Sequence, residues 1–109
     1  MDDVRERNGQ AAGKPWTFLT NHALVLLFLA KHSRITAREL AQEVGITERA
    51  VRSIIADLET AGYIGKTREG RQVKYDVHHG MPLRHKTQQD KAVGELLKML
   101  GFSFASSDE

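Results

Sequence analysis

With 109 residues the chain is one domain by length, with room for one modest hydrophobic core. Its 40% hydrophobic and 28% charged residues suit a soluble globular protein, and the lack of cysteine excludes disulfides, thiolate metal sites and cysteine nucleophiles. Against 14 acidic residues stand 16 basic ones, a formal net charge of only +2, so any argument for binding a polyanion rests on where the bases sit. The longest apolar run, "ALVLLFLA" (Ala23 to Ala30), is far short of the roughly 18 residues of a membrane span. The opening "MDDVRERNGQAAGK" mixes charges where a signal peptide needs a basic start leading into an apolar segment, so a cytoplasmic location is expected.

Residues 1–14 have no apolar periodicity and read as a flexible tail. Trp16 and Phe18 follow and are expected to anchor that tail to the fold. A first helix is expected from about Asn21, itself a good N-cap residue; it is apolar almost all round and should be the most buried helix. Lys31 and His32 suit the negative end of its dipole. After an extended link around Ile35, Thr36 and Glu39 stand at capping-box spacing and start a second helix, about Ala37 to Val44, with Leu40, Ala41 and Val44 inward. Gly45 ends it and Thr47 caps a third helix, about 48–61, with Glu48 in its first turn. Two helices joined by a Gly-containing turn of this length make helix-turn-helix spacing.

In "YIGKTREGRQVKYDV", Val73, Tyr75 and Val77 alternate with Gln72, Lys74 and Asp76, the period of a half-buried strand. Its partner is expected over Ile64 to Thr67, with Arg68 to Arg71 as the turn and Gly70 left-handed. A loop with Gly80 and Pro82 leads to a last helix, about Thr87 to Leu100, and a second tail over 102–109. The fold class is mainly α with a small β-hairpin (α+β). It is a winged helix-turn-helix over 15–79, followed by a loop and C-terminal helix over 80–101.

The wording "ITARELAQEVGITERAVRSIIADLETAGYI" resembles the DNA-binding core of the MarR- and ArsR-type transcriptional regulators of bacteria and archaea. The resemblance spans about Ile35 to Val77, under half of the chain. It implies a double-stranded DNA-binding regulator, a repressor acting by promoter occupancy, and no enzyme. Two departures stand out: cysteine-built ArsR-type metal sites have no ligands here, and only one short helix is left for the dimer-forming role that MarR-type proteins give to more helix.

At 100° per residue, Val51, Ile55 and Leu58 share one face of the third helix with Ile54 at its edge, while Arg49, Arg52, Ser53, Ala56 and Thr60 lie roughly opposite. The first half of such a helix enters the major groove, so Arg49 and Arg52 are candidates for bidentate contacts to guanine. Ser53, Glu48 and Thr47 stand beside them, Thr47 suited to a phosphate. The hairpin 64–77 carries Lys66, Arg68, Arg71 and Lys74, opposed by Glu69, and is expected on the sugar-phosphate backbone or in the minor groove. Arg38 is a further phosphate candidate. The plainer readings are a solvated helix face, with the arginines pairing Glu48 or Glu59, and a strand edge protected by lysines.

Val93, Leu96, Leu97 and Leu100 form an apolar stripe that could pack on its own domain but is expected to pair with its twin as the interface of a homodimer. A chain truncated before Thr87 would then be soluble and monomeric. The histidines of "HHGMPLRH" have only Asp76 nearby where a metal site would need further carboxylates, no cofactor is indicated, and a small-molecule effector is left open. The alternative function is a winged-helix protein–protein interaction module of a larger assembly. Single-stranded nucleic acid is disfavoured because Tyr63 and Tyr75 are expected near the core rather than free to stack on bases.

Overall fold

The structure, a computed structural model, describes residues 16–101. Both expected tails, 1–14 and 102–109, lie outside the described residues. Four helices and one hairpin follow in the order α1 (Asn21–Lys31), α2 (Ala37–Val44), α3 (Glu48–Thr60), β1 (Ile64–Glu69), β2 (Gln72–Val77) and α4 (Val93–Met99). None of these helices is long and apolar enough to cross a membrane.

Each of the first three helices begins where a threonine turns the chain. Thr20, not Asn21, caps α1: it is extended, and its hydroxyl accepts the amide of Ala23 at 3.2 Å. Thr36 and Glu39 close the expected capping box on α2, with the Glu39 carboxylate accepting the Thr36 amide at 2.9 Å and the Thr36 hydroxyl accepting the Glu39 amide at 3.1 Å. Gly45 ends α2 at φ 84°, a left-handed conformation that glycine adopts without steric cost. Only one residue then separates it from Thr47, which caps α3 through the Ala50 amide at 3.0 Å.

The core gathers Val25, Leu26 and Leu29 of α1, Leu40 of α2, and Val51, Ile54, Ile55 and Leu58 of α3 with Tyr63, Ile64, Val93 and Leu97. From Ala23 to Ala30 no residue of α1 is fully exposed, as its all-round apolarity requires. Ile54, at the edge of the stripe, is buried with the rest of it, and α3 packs against both α1 and α2. Trp16 and Phe18 are not anchors: they are 77% and 94% exposed and meet each other edge to face, with ring centroids 5.1 Å apart.

The strands pair antiparallel from Ile64↔Val77 out to Glu69↔Gln72, so they run two residues beyond the expected end of β1. A two-residue turn, Gly70 and Arg71, closes the hairpin, and Gly70 at φ 63° supplies the positive dihedral that such a tight reversal needs. Beside β2, the carbonyl of Ser33 accepts the Tyr75 amide at 2.8 Å, which docks the α1–α2 link onto the hairpin.

The chain then makes a long excursion whose two ends are bonded together. Leu83 donates to the Lys91 carbonyl at 2.9 Å, Val93 to Met81 at 2.7 Å and Gly94 to His79 at 2.8 Å. The Tyr63 hydroxyl donates to the Pro82 carbonyl and fixes this strap to the end of α3. Helix α4 is shorter than expected, because residues 87–91 offer no apolar face to bury and form turns instead. Val93 and Leu97, expected in a dimer interface, are 3% and 1% exposed inside the chain's own core; Leu96 and Leu100 are half-buried, and Met99 is 75% exposed.

Truncation before Thr87 therefore removes two members of the core, and loss of stability replaces the simple monomer expected from the sequence. Leu97→Ala should cost about 2–5 kcal/mol, as for other fully buried leucines, read as a lowered urea midpoint with an unchanged slope.

Candidate nucleic-acid interface

Burial fixes the rotation of α3. With Val51, Ile54, Ile55 and Leu58 turned inward, Glu48, Arg49, Arg52, Ser53 and Ala56 are all exposed on the outer side. Arg52 donates from Nη2 to Oε2 of Glu48 at 3.0 Å, the favourable acid-before-base i, i+4 arrangement. Arg49, by contrast, has no ion-pair partner among the described residues, and nor does Arg38 in the first turn of α2. The Thr47 hydroxyl already accepts from Ala50, which leaves its own proton free to be donated outward.

The hairpin does not present its bases on one surface. Side chains alternate across a pleated ribbon, and the register puts Lys66 and Arg68 on the side of Tyr75 and Val73. Lys74 shares the opposite side with Thr67, Glu69 and Asp76, and Arg71 sits in the turn. Lys66 reaches back to Glu59 near the end of α3, with Nζ 3.6 Å from Oε1, and Lys74 stands 3.6 Å from Asp76. Arg68 and Arg71 are exposed with no such partner among the described residues. They are the cations the hairpin holds out to solvent.

Two long-range pairs had no signal in the sequence. Arg34 in the α1–α2 link forks onto Glu69, Nε to Oε1 at 2.8 Å and Nη2 to Oε2 at 3.3 Å. His22 and Asp57 meet at 2.8 Å and tie the start of α1 to α3. Each joins residues far apart in the chain, so no helical or strand periodicity could pair them. His78 bonds the Gly62 carbonyl at 2.8 Å and His85 bonds Thr87 at 2.9 Å. Among the described residues, no three histidines or carboxylates converge as metal ligands.

The hydrogen bonds from Arg34 hold the Glu69 carboxyl below the usual glutamate range, and Lys74 adds to the effect. Those from Thr36 do the same for Glu39.

Residues 21–64 match a family described as winged helix-turn-helix DNA-binding. The fold is a winged helix-turn-helix. The matched segment ends on the first residue of β1, so the wing is defined by the structure rather than by the family match. No curated protein matches the chain. Among solved structures, MepR, a transcription regulator of the Staphylococcus aureus multidrug efflux pump MepA, is similar at 14% identity and a TM-score of 0.51, over 73% of this chain and 55% of that one. The MarR family protein Rv2887 of Mycobacterium tuberculosis, crystallised with salicylic acid, is similar at 25% identity and a TM-score of 0.46, over 54% of this chain and 47% of that one. The chain thus spans about half the length of these structures.

Because both carboxyls are held low in the folded state, their contribution is complete above the ordinary glutamate range and is lost as the pH falls through the lower folded values. The thermal midpoint of the winged helix-turn-helix should therefore drop progressively below about pH 5, and Glu39→Gln with Glu69→Gln should flatten that acid slope.

Proposed function

We propose that this winged helix-turn-helix binds double-stranded DNA as a sequence-specific transcriptional regulator. On this reading α3 lies in the major groove and the wing, β1 and β2, lies on the flanking backbone or minor groove. The observation that carries the reading is the division of α3: a buried apolar face with an exposed face of Arg49, Arg52 and Ser53 behind it, beside a hairpin whose Arg68 and Arg71 have no partner among the described residues. An interaction module for another protein would favour apolar side chains on that outer face, and α3 has only Ala56 there.

Arg49 is assigned the principal base contact, since its guanidinium needs to leave no partner. Arg52 must exchange Glu48 for a base, or else the pair acts together, with Glu48 accepting from a cytosine amine. Thr47, Arg38, Lys66, Arg68, Arg71 and Lys74 are assigned to phosphates, the exposed pair Arg68 and Arg71 foremost. Occupancy of a promoter would make the protein a repressor. A small net charge of +2 gives one copy weak electrostatic affinity, so a homodimer on two half-sites is part of the proposal, with Leu96, Met99 and Leu100 left to contribute to its interface.

Selection of a preferred duplex from a random pool, followed by anisotropy titrations, tests the reading. Arg49→Ala should weaken the preferred site by about 1–3 kcal/mol and relax specificity at one position. Arg71→Ala should weaken all sequences alike and reduce the salt slope by about 0.9. If no duplex is enriched over nonspecific background, the reading fails. Inverted half-sites about one helical turn apart are expected of the homodimer, and a single half-site bound by a species of monomer mass would remove it.

A further inference from the structure

We propose that Arg34 is a positioning residue for the wing: by clamping Glu69 it sets the direction in which the hairpin presents Arg68 and Arg71. The inference rests on the reading of the hairpin as a DNA contact, but the clamp itself is a property of the free protein.

The hairpin is held mainly at one end. Its base is secured by buried Ile64, by half-buried Tyr75 and Val77, and by the Tyr75 amide bond to Ser33. Farther out, every residue from Lys66 to Gly70 is exposed, and so are Arg71 and Gln72. Half-buried Val73, across from Arg68, is the last apolar side chain on the ribbon, and a two-stranded ribbon beyond such cover twists freely and is marginal without outside support. Among the described residues, one side-chain hydrogen-bonded pair ties the stretch from Thr67 to Gln72 to a part of the chain outside the hairpin, and it is Arg34 with Glu69.

The geometry of the pair suits the task. Two roughly parallel N–H···O bonds fix the direction of a guanidinium against a carboxylate as well as their separation, which one lysine ammonium would not do. The pair joins the tip of the hairpin to the link between α1 and α2, whose next residues open the capping box of α2. It therefore refers the wing to the same helices that hold α3. It also accounts for an acid at the tip of a hairpin otherwise rich in bases. A carboxylate there repels phosphates, and Arg34 neutralises it while using both of its oxygens.

Electrostatics alone and the clamp predict opposite signs for one substitution. Glu69→Gln raises the net charge by one and releases Arg34, so a purely electrostatic role predicts tighter DNA binding. The clamp predicts weaker binding, by roughly three- to fivefold for an exposed but bidentate pair. The experiment uses the full chain, with ¹⁵N relaxation of the amides from Thr67 to Gln72 and anisotropy titrations on the selected duplex. Wild type is compared with Glu69→Gln and with the charge-swapped double variant Arg34→Glu, Glu69→Arg. Expected are lower order parameters and weaker binding for Glu69→Gln, and recovery of the order parameters in the swapped variant. Arg71→Ala should also cost less affinity in the Glu69→Gln background than in wild type, because the wing has already lost its aim.

Unchanged order parameters in Glu69→Gln, or affinity equal to or above that of wild type, would overturn the proposal. A wild-type chain that binds no duplex would instead overturn the DNA reading, and the order parameters alone would then decide whether the clamp exists.

Discussion

The burial of Val51, Ile54, Ile55 and Leu58 against α1 and α2 is the constraint on which the rest of the molecule depends. Four apolar side chains on one face leave the helix no freedom to rotate about its axis without exposing some of them, at roughly 1.5–3 kcal/mol for each one fully exposed. The outer face is thereby aimed as firmly as the inner one is packed. Arg49, Arg52 and Ser53 point outward because other residues must point inward, and neither set needs a separate device to orient it. The same burial orients the end of α3, where Tyr63 and Ile64 enter the core and start the hairpin.

What was legible in the sequence follows from range. Thr36 with Glu39, Thr47 with Ala50, and glycines 45 and 70 act on neighbours a few residues away, and such signals placed α2, α3 and the turn of the hairpin almost to the residue. The outward set on α3 was legible for the same reason, since helical periodicity fixes it. Trp16 and Phe18 were misread because aromatic size says nothing about whether a surface stands opposite to receive it. Val93 and Leu97 were misread because an apolar stripe does not state its partner, and the strap that brings α4 back to the core is built from main-chain bonds, to which side-chain patterns are blind. The Arg34–Glu69 fork was invisible on both grounds: it is long-range, and its acid looked like a lone exception in a basic hairpin.

The charge balance gains meaning once the pairs are known. A net charge of +2 describes a surface on which particular acids already hold particular bases: Glu48 on Arg52, Glu59 on Lys66, Asp76 on Lys74 and Glu69 on Arg34. Of the candidate DNA contacts, the pairs leave Arg38, Arg49, Arg68 and Arg71 without a protein partner among the described residues. Long-range attraction to a polyanion depends on the sum, whereas close contact depends on which groups must first give up a partner. The unpaired arginines can engage without that exchange, and this separates them from Arg52, Lys66 and Lys74 within a set of residues that the sequence presents as equivalent.

The strap between the hairpin and α4 has a different consequence. Its ends are pinned by Leu83 to Lys91 and by the Pro82–Ala92 bridge, and every residue from Arg84 to Lys91 is exposed. Positions inside the closed ends carry no share of the core, and lengthening a loop already closed at its base costs only about 0.6 kcal/mol for each doubling. The stretch is thus a port in the architecture. Residues can be inserted, exchanged or labelled there while Val93 and Leu97 keep their places, so this fold can acquire new surface at that point without renegotiating its interior.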